Sequence, residues 1–575
     1  MRLLSFFFLL TLLAFTQESD NPPLPEYPQD YFISPVKHTF RLAGTFGELR
    51  PNHFHAGVDI KSSAGKVGDP LYAPAEGYVS RVKVQGGAYG NAMYITHPNG
   101  YTTVYAHLHE YTPAIKEWIT AQQYDREKFE ADLYPTPGQF TFAQGDYIGK
   151  MGTSGRSYGP HLHFEIRDTR TQKAINPLLF GFKMKDTRAP KINGLKVYAL
   201  NDKHETLDTK IPKLRSRGTN KYGIIGDTLT LGAWRAGLGI KVYDFHDNVT
   251  NWNGVYSVRM TVDDEEVYAY AMETFAFDEV RYLNAHIDYE EQITKKSYFN
   301  RMYRLPGNNI PIYTQNGTDG VIELTAGRAK KVVITAADKH GNRAELQFWV
   351  KRGEVNPPVS KTFNYILPWN EENRVEAGGM SFHFPAGTLY ENLYLSYNSA
   401  DDASSEFYSA VHQIENYTLP VHKYFDLAIQ PTRSIPDELR SKAFVAYCYK
   451  DRIISFGGTW EDGMLKTKVR DMGDFAIMLD TTPPKITPVR FKSDMRGYKF
   501  MSFKATDNLR TDRITKGMRF RAEIDGKWAL LHYDAKNNLL RHDFRTDLPA
   551  GEHRLRLTVT DDRGNTAVFE RDFLR

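Results

Sequence analysis

The chain is poor in cysteine: its 575 residues include one, Cys448. That excludes an intramolecular disulfide, a thiol redox pair and any multi-cysteine zinc or iron–sulfur site. A charge excess is also lacking. Lys+Arg 73 against Asp+Glu 69 leave a formal +4, too small over this length to indicate a nucleic-acid partner. There is no low-complexity run and no basic block. The one long apolar run is Leu3 to Phe15 (LLSFFFLLTLLAF), preceded by Met1-Arg2 and followed at once by Gln17-Glu18-Ser19-Asp20. It is short for a membrane span, so 1–16 reads as a cleaved signal peptide, with an uncleaved anchor as the alternative. No cysteine follows the run, so no lipid anchor on cysteine is expected. The expected product is exported, with no transmembrane segment in the mature chain. Its core must be held by packing or metal.

What is present points to β structure. Tyr 35 and Phe 34, interspersed with Asn, Asp and Gly clusters, favour strands joined by turns. The length predicts about four domains. A proline-rich lead-in at 22–28 precedes a glycine-dense stretch of short alternating strands: Tyr78–Val84, Ala92–His97, Tyr101–Leu108 and His161–Arg167. One helix interrupts them at about 113–132, with Thr112 as a possible cap and Pro113 at its first position. Further on, Asp186-Thr187-Arg188-Ala189-Pro190-Lys191-Ile192 recurs as Asp480-Thr481-Thr482-Pro483-Pro484-Lys485-Ile486. Each repeat contains an Asp-Asn turn, Asp247-Asn248 or Asp507-Asn508, and closes in a strand–turn–strand. There Gly341-Asn342 and Gly564-Asn565 are expected to supply positive φ. Both repeats resemble bacterial immunoglobulin-like or fibronectin-type modules, the first with insertions around 200–235 and 285–320. The expected organisation is a signal peptide at 1–16, a glycine-rich β domain at 17–185, and β-sandwiches at 186–352, 353–479 and 480–575. The middle sandwich carries no recognisable role.

Chemistry concentrates in the first domain. If 161–167 is a strand, His161, His163 and Glu165 share one face while Leu162, Phe164 and Ile166 enter a core. Tyr105 and His107 share a face on an earlier strand, which would bring a third imidazole in if the two strands are neighbours. Gly57, between His55 and Asp59, permits close backbone approach. Two neutral imidazoles and one carboxylate suit a catalytic zinc, leaving one position open and the site net positive, which acidifies water and polarises an amide carbonyl. Taken singly, His-x-His, His-x-x-x-Asp or a Gly-Thr-Ser-Gly turn says little. Their joint occurrence within one glycine-rich β segment says much more.

Four stretches, GTFGELRPNHFHAGVDI (44–60), PLYAPAEGYVSRV (70–82), GGAYGNAMYITHPNGYTTVYAHL (86–108) and GDYIGKMGTSGRSYGPHLHFEIRD (145–168), resemble the lysostaphin/LytM-type zinc endopeptidases, in order and at fitting spacing. The resemblance covers about a fifth of the chain. It implies a mainly β, antiparallel peptidase domain, with Zn2+ held by His55, Asp59 and His163 and with His107 and His161 as catalytic histidines. One of that pair would activate water and the other stabilise an oxyanion; which does which stays open. His53 could compete with His55, but only His55 has the right spacing to Asp59. His97, before Pro98 in a turn, is expected to be solvated, and His109 shares a face with His107 only if the strand continues past Leu108. Glu165 is either a support for a ligand histidine or a salt-bridge partner of Arg167. The connection from His109 to Gln144 is longer than the family's usual one and could wall the groove, contact another domain or merely decorate the surface.

The resemblance implies an exported hydrolase of the bacterial periplasm or cell envelope. It would cut amide bonds in peptidoglycan stem peptides or cross-bridges: a D-Ala to diamino-acid link, or a glycine bridge. A non-catalytic scaffold or activator that binds cell wall or a partner amidase, and a peptidase for ordinary extracellular proteins, are the alternatives. The sandwiches are candidates for binding an envelope protein partner.

Overall fold

The computed structural model describes residues 26–314, 317–355, 362–401, 406–512, 515, 517–545 and 548–575; the expected signal peptide lies outside them. The chain is mainly β and its sheets are predominantly antiparallel. Among the described residues no helix is long and apolar enough to cross a membrane.

The N-terminal region is built on one large sheet. Its strands run in the order Leu42–Gly44, Val58–Lys61, His161–Asp168, Tyr101–Ala106, Ala92–Thr96, Gly77–Val84 and Ala131–Leu133. Alternation along His161–Asp168 buries Leu162, Phe164 and Ile166 against Val58, Ile60, Ile95 and Tyr105 in a single core. A smaller sheet of Pro70–Tyr72, Tyr147–Met151 and Leu108–Tyr111 packs beside it. The helix is shorter than the sequence pattern indicated: it spans Pro113–Asp125, with Pro at its start and no side-chain cap from Thr112. It buries Ile115 and Ile119, and the chain is back in a strand by Ala131.

The first repeat shares its core with this region. Phe46 and Phe54 belong to the same apolar cluster as Leu238, Val258 and Phe348, and Phe46 stacks on Phe275 at 4.5 Å between ring centroids. Ala174–Ile175 pairs with Thr274–Phe275 across the two regions. The segment that leads into His55 is therefore clamped from both sides. Two parallel pairings depart from the antiparallel pattern here: Lys221–Ile224 and Thr228–Leu231 both run parallel to Arg343–Arg352. The last two regions also have their own apolar clusters, one around Phe384, Phe425 and Phe475 and one around Phe503, Leu540 and Leu557.

In the closing hairpins only the glycines take positive φ, Gly341 at 89° and Gly564 at 78°. Asn342 and Asn565 instead donate from backbone and side chain to the carboxylates of Asp338 and Asp561. The long connection of the N-terminal region meets the C-terminal repeat. Glu127 pairs with Arg521 at 2.7 Å, and the rings of Tyr124 and Trp528 lie 5.1 Å apart.

Candidate active site

The strand His161–Asp168 lies between Val58–Lys61 and Tyr101–Ala106. Register places His163 opposite Asp59 on one side and Ala106 on the other. Asp59 and His163 thus meet across adjacent strands. His55 reaches them from the turn that enters Val58–Lys61, and Gly57 makes that turn possible. A Cβ at Gly57 would sit 2.4 Å from the Phe164 carbonyl oxygen and 2.9 Å from Glu165 Cγ.

Three donor atoms converge: His55 Nε2 and His163 Nδ1 are 3.0 Å apart, and each lies 3.1 Å from Asp59 Oδ1. These edges are close to the roughly 3.3 Å of a tetrahedron with metal–ligand distances of about 2.0 Å. The outer atoms of the imidazoles are spoken for. His55 Nδ1 lies 2.8 Å from the Thr45 carbonyl, which can only accept, so the proton sits there and Nε2 turns its lone pair inward. His163 Nε2 donates to Glu165 Oε1 at 2.8 Å.

Electrostatics favour a positive charge at this point. Burial pushes His163 down, but its hydrogen bonds to Asp59 and Glu165 overcome this and lift it to about 9. Burial pushes Asp59 up, yet His55, His161 and His163 around it hold it well below the carboxylate range. His55 is pushed down by burial. The carboxylates of Asp59 and Glu165 thus favour a positive charge on or beside His163. A metal ion bound by the three inward atoms supplies that charge in place of a proton. The donor set, two nitrogens and one carboxylate oxygen, is the kind that suits Zn2+.

Two more histidines face the triangle. His161 Nε2 is 3.5 Å from Asp59 Oδ1, while its Nδ1 is 2.8 Å from the Gly159 carbonyl. The rings of His107 and His161 lie 4.8 Å apart. His107 has its Nδ1 on the Ser154 carbonyl at 2.8 Å, and burial, followed by His161 and His163, pushes it down to about 3. The strand does not run through His107. Its φ is +61°, a left-handed conformation that costs a non-glycine residue about 1 kcal/mol or more. The kink hands the chain from the large sheet to the small one and parts His107 from Tyr105, which is buried against Phe164. The Ser154 loop is itself tightly held. Gly155, at φ +70°, packs so closely on Gly90 that a Cβ would lie 2.3 Å from Gly90 N.

All five singled-out residues, His55, Asp59, His107, His161 and His163, thus come together. His53 is exposed and turned onto the Pro51 carbonyl, and His109 is exposed. His97 is buried rather than solvated: Nδ1 bonds the Glu76 carbonyl and Nε2 the Thr103 hydroxyl. Glu165 fills both of its suggested roles, because one oxygen accepts from His163 and the other from Arg167 Nη2 at 2.6 Å.

Residue types alone did not reveal Arg50, Glu48 or Tyr89. Arg50 bridges Asp59 Oδ2 at 3.0 Å and Glu48 at 2.8 Å; Tyr89 donates to Glu165 Oε1 at 2.5 Å. Burial, followed by the nearby Asp59, pushes Glu48 up to about 7 despite Arg50. Arg50, Glu48 and Tyr89 stand inside the family-like stretches 44–60 and 86–108, which was the available signal. Lys536 of the C-terminal repeat donates to the carbonyls of Thr153 and Ser157, on either side of Ser154 and Gly155.

Residues 53–124 and 137–177 match the sequence model of Peptidase family M23, and residues 364–480 match that of the Zu5-like domain. The N-terminal region is a Peptidase family M23 domain of the LytM type. Over 140 residues the chain is 34% identical to the DD-carboxypeptidase/endopeptidase Mpg of Neisseria meningitidis, covering 24% of this chain and 23% of that protein. Over 126 residues it is 31% identical to the peptidoglycan DD-endopeptidase ShyC of Vibrio cholerae, covering 22% of each. The chain thus spans about a quarter of the length of these two relatives. The catalytic domain of lysostaphin from Staphylococcus simulans aligns at 21% identity over 24% of this chain and 91% of that one, with a TM-score of 0.18.

Proposed function

We propose that the protein is an exported, zinc-dependent endopeptidase of the bacterial periplasm or cell envelope that hydrolyses amide bonds in peptidoglycan stem peptides or cross-bridges. The observation that carries this reading is the triangle of His55 Nε2, Asp59 Oδ1 and His163 Nδ1 at 3.0–3.1 Å, with two further imidazoles beside it. The substrate class rests on the relatives, whose names include peptidoglycan DD-endopeptidases.

His55, Asp59 and His163 hold the zinc. When bound there it supplies Lewis acidity, polarising the scissile carbonyl and acidifying water. The remaining work belongs to the chain. Thr45 and Glu165 fix the tautomers of the two ligand histidines. The Ser154 and Gly159 carbonyls hold Nδ1–H of His107 and His161, so both present Nε2 to the substrate. His107 is kept neutral chiefly by burial, so its Nε2 is placed to take a proton from the attacking water. His161, whose Nε2 lies 3.5 Å from Asp59 Oδ1, is placed to steady through Nε2–H the oxygen that becomes negative as the amide carbon turns tetrahedral. The proton taken by His107 then leaves with the amine.

Incubation with purified cross-linked peptidoglycan, followed by mass spectrometry of the muropeptides, tests the reading. Loss of cross-linked dimers, abolished by a zinc chelator and by His163→Ala, is expected. An intact dimer pool with zinc-loaded protein would overturn it in favour of a scaffold that binds the wall without cutting it.

A further inference from the structure

The two sequence repeats place three aspartates at equivalent points. Register makes the equivalence explicit. Lys191 pairs with Tyr243 in the first repeat and Lys485 with Thr506 in the second, so the counterpart of Asp507 is Asp244, at the end of the same strand, and not Asp247 of the Asp-Asn turn. Asp186 corresponds to Asp480 five residues before the paired lysine, and Asp338 to Asp561 in the closing hairpin. The bonds around them match too. Asp186 and Asp480 accept from the backbone N–H two residues on, and Asn342 and Asn565 donate to the carbonyls of Asp186 and Asp480.

The repeats differ in how this negative charge is met. In the first, His246 lies among the carboxylates, with Nδ1 2.7 Å from Asp186 and Nε2 3.7 Å from Asp244. An imidazolium can serve as the cation there. In the second, Leu509 stands at the position of His246. Arg563 stands at that of His340 but turns away, to Asp562 and to the carbonyls of Ala443 and Gly458. Asp480, Asp507 and Asp561 keep carboxylate oxygens within 4.8 Å of one another. Asp480 is 2% exposed and Asp561 1%. Asp480 Oδ2 and Asp507 Oδ1 are buried without a hydrogen-bond partner, a state that costs a carboxylate several kcal/mol unless something positive meets it. Burial and the carboxylates of Asp480 and Asp561 push Asp507 up to about 6.

We propose that Asp480, Asp507 and Asp561 form a calcium site at the joint between the Zu5-like region and the C-terminal repeat. The donors are all oxygen, which selects a hard cation. Their spread fits metal–oxygen distances of about 2.4 Å, and a ring of carboxylates lacking a rigid octahedron suits Ca2+ better than Mg2+. The joint is where an ion would stiffen the chain: just after Asp507, Arg510–Thr511 adds in parallel to the edge strand Arg452–Ser455 of the Zu5-like region, and Ser455 bonds Asp562. The proposal is independent of the peptidase reading.

Calorimetric titration of the full-length, zinc-loaded protein in calcium-free buffer with CaCl2, and separately with MgCl2, tests it. One Ca2+ per chain is expected, with a dissociation constant between about 10⁻⁶ and 10⁻³ M, and Mg2+ at least tenfold weaker. Asp507→Asn should weaken calcium at least tenfold and abolish the rise in melting temperature that calcium gives the wild type. Asp244→Asn, in the first repeat, should leave calcium binding unchanged. Because Asp507 Oδ1 makes no hydrogen bond, Asp507→Asn should melt no lower than wild type when calcium is absent, which separates lost binding from misfolding; Asp507→Ser serves as the second variant. No saturable calcium heat, unchanged affinity in both Asp507 variants, or equal binding of magnesium would overturn the proposal.

Discussion

Replacing Glu165 by Gln tests how far the proposed zinc site depends on groups that would not touch the metal. Glu165 is fully buried. One oxygen accepts from His163 Nε2 at 2.8 Å and from Tyr89 at 2.5 Å; the other holds Arg167 at 2.6–2.7 Å. Burial pushes Glu165 up, but Arg167 and His163 bring it down to about 2, so it is a carboxylate throughout the working range. Gln keeps the shape and removes the charge. Two losses follow, and they are separable. The stranded guanidinium of Arg167 should cost about 3–5 kcal/mol of stability. The weakened hold on the His163 tautomer should cost about 10–100-fold in zinc affinity, or about 1.4–2.7 kcal/mol. The double variant Glu165→Gln/Arg167→Met removes the stranded charge, so it should recover most of the stability and none of the affinity. Urea unfolding and competition with a chromophoric chelator at pH 7 read the two terms. A Glu165→Gln protein that binds zinc within twofold of wild type would refute the reasoning, as would a double variant that regains affinity together with stability.

Other expectations follow from the same geometry. His107→Ala should keep one zinc per chain while losing about 10²–10⁴-fold in muropeptide release, whereas Asp59→Asn should lose zinc and turnover together; metal analysis beside the assay distinguishes the two. Zinc affinity should rise with pH. His163 is lifted to about 9 in the metal-free protein, so zinc displaces a proton throughout the interval from about 6.5 to 9 and affinity should climb up to tenfold per unit there; a flat profile would show that no proton is displaced. In the metal-free protein the same lift contributes stability that is fully present below about 6.5 and lost as pH rises through 9. Gly57→Ala drives a methyl into the Phe164 carbonyl and should lower both melting temperature and zinc occupancy; unchanged values would mean that the turn has room the distances deny. Lys536→Ala removes two bonds to the carbonyls flanking the Ser154 loop and should reduce turnover with zinc content unchanged, measured by the same assay.

What the sequence made legible was local. The period of two along His161–Asp168 separates the His161, His163 and Glu165 face from the Leu162, Phe164 and Ile166 core, and a strand can do little else with that pattern. Gly57 was legible for the same reason: two side chains cannot converge across a bulky residue. Contacts set by distant packing were not legible. His97 sits before a proline turn and reads as solvated, yet the fold lays Glu76 and Thr103 against it. His107 reads as one more strand residue, whereas its positive φ depends on where the small sheet docks. Arg50 was within view, but its reach to Asp59 depends on the turn at Pro51-Asn52 doubling back. The asparagines of the closing hairpins serve as donors to aspartates rather than as turn residues, a role visible only once both repeats are compared in register. The core shared by Phe46, Phe54 and Phe275 joins segments more than 200 residues apart, beyond the reach of any local pattern.

The proposed mechanism requires that the inward atoms of His55, Asp59 and His163 hold a zinc ion. Crystals of the protein purified without chelator, with diffraction recorded on both sides of the zinc absorption edge, test it most directly. A single strong anomalous peak within about 2.0–2.2 Å of all three atoms is expected, as is its loss in His163→Ala. A zinc-replete protein with no peak at that triangle, or with the peak elsewhere, would contradict it.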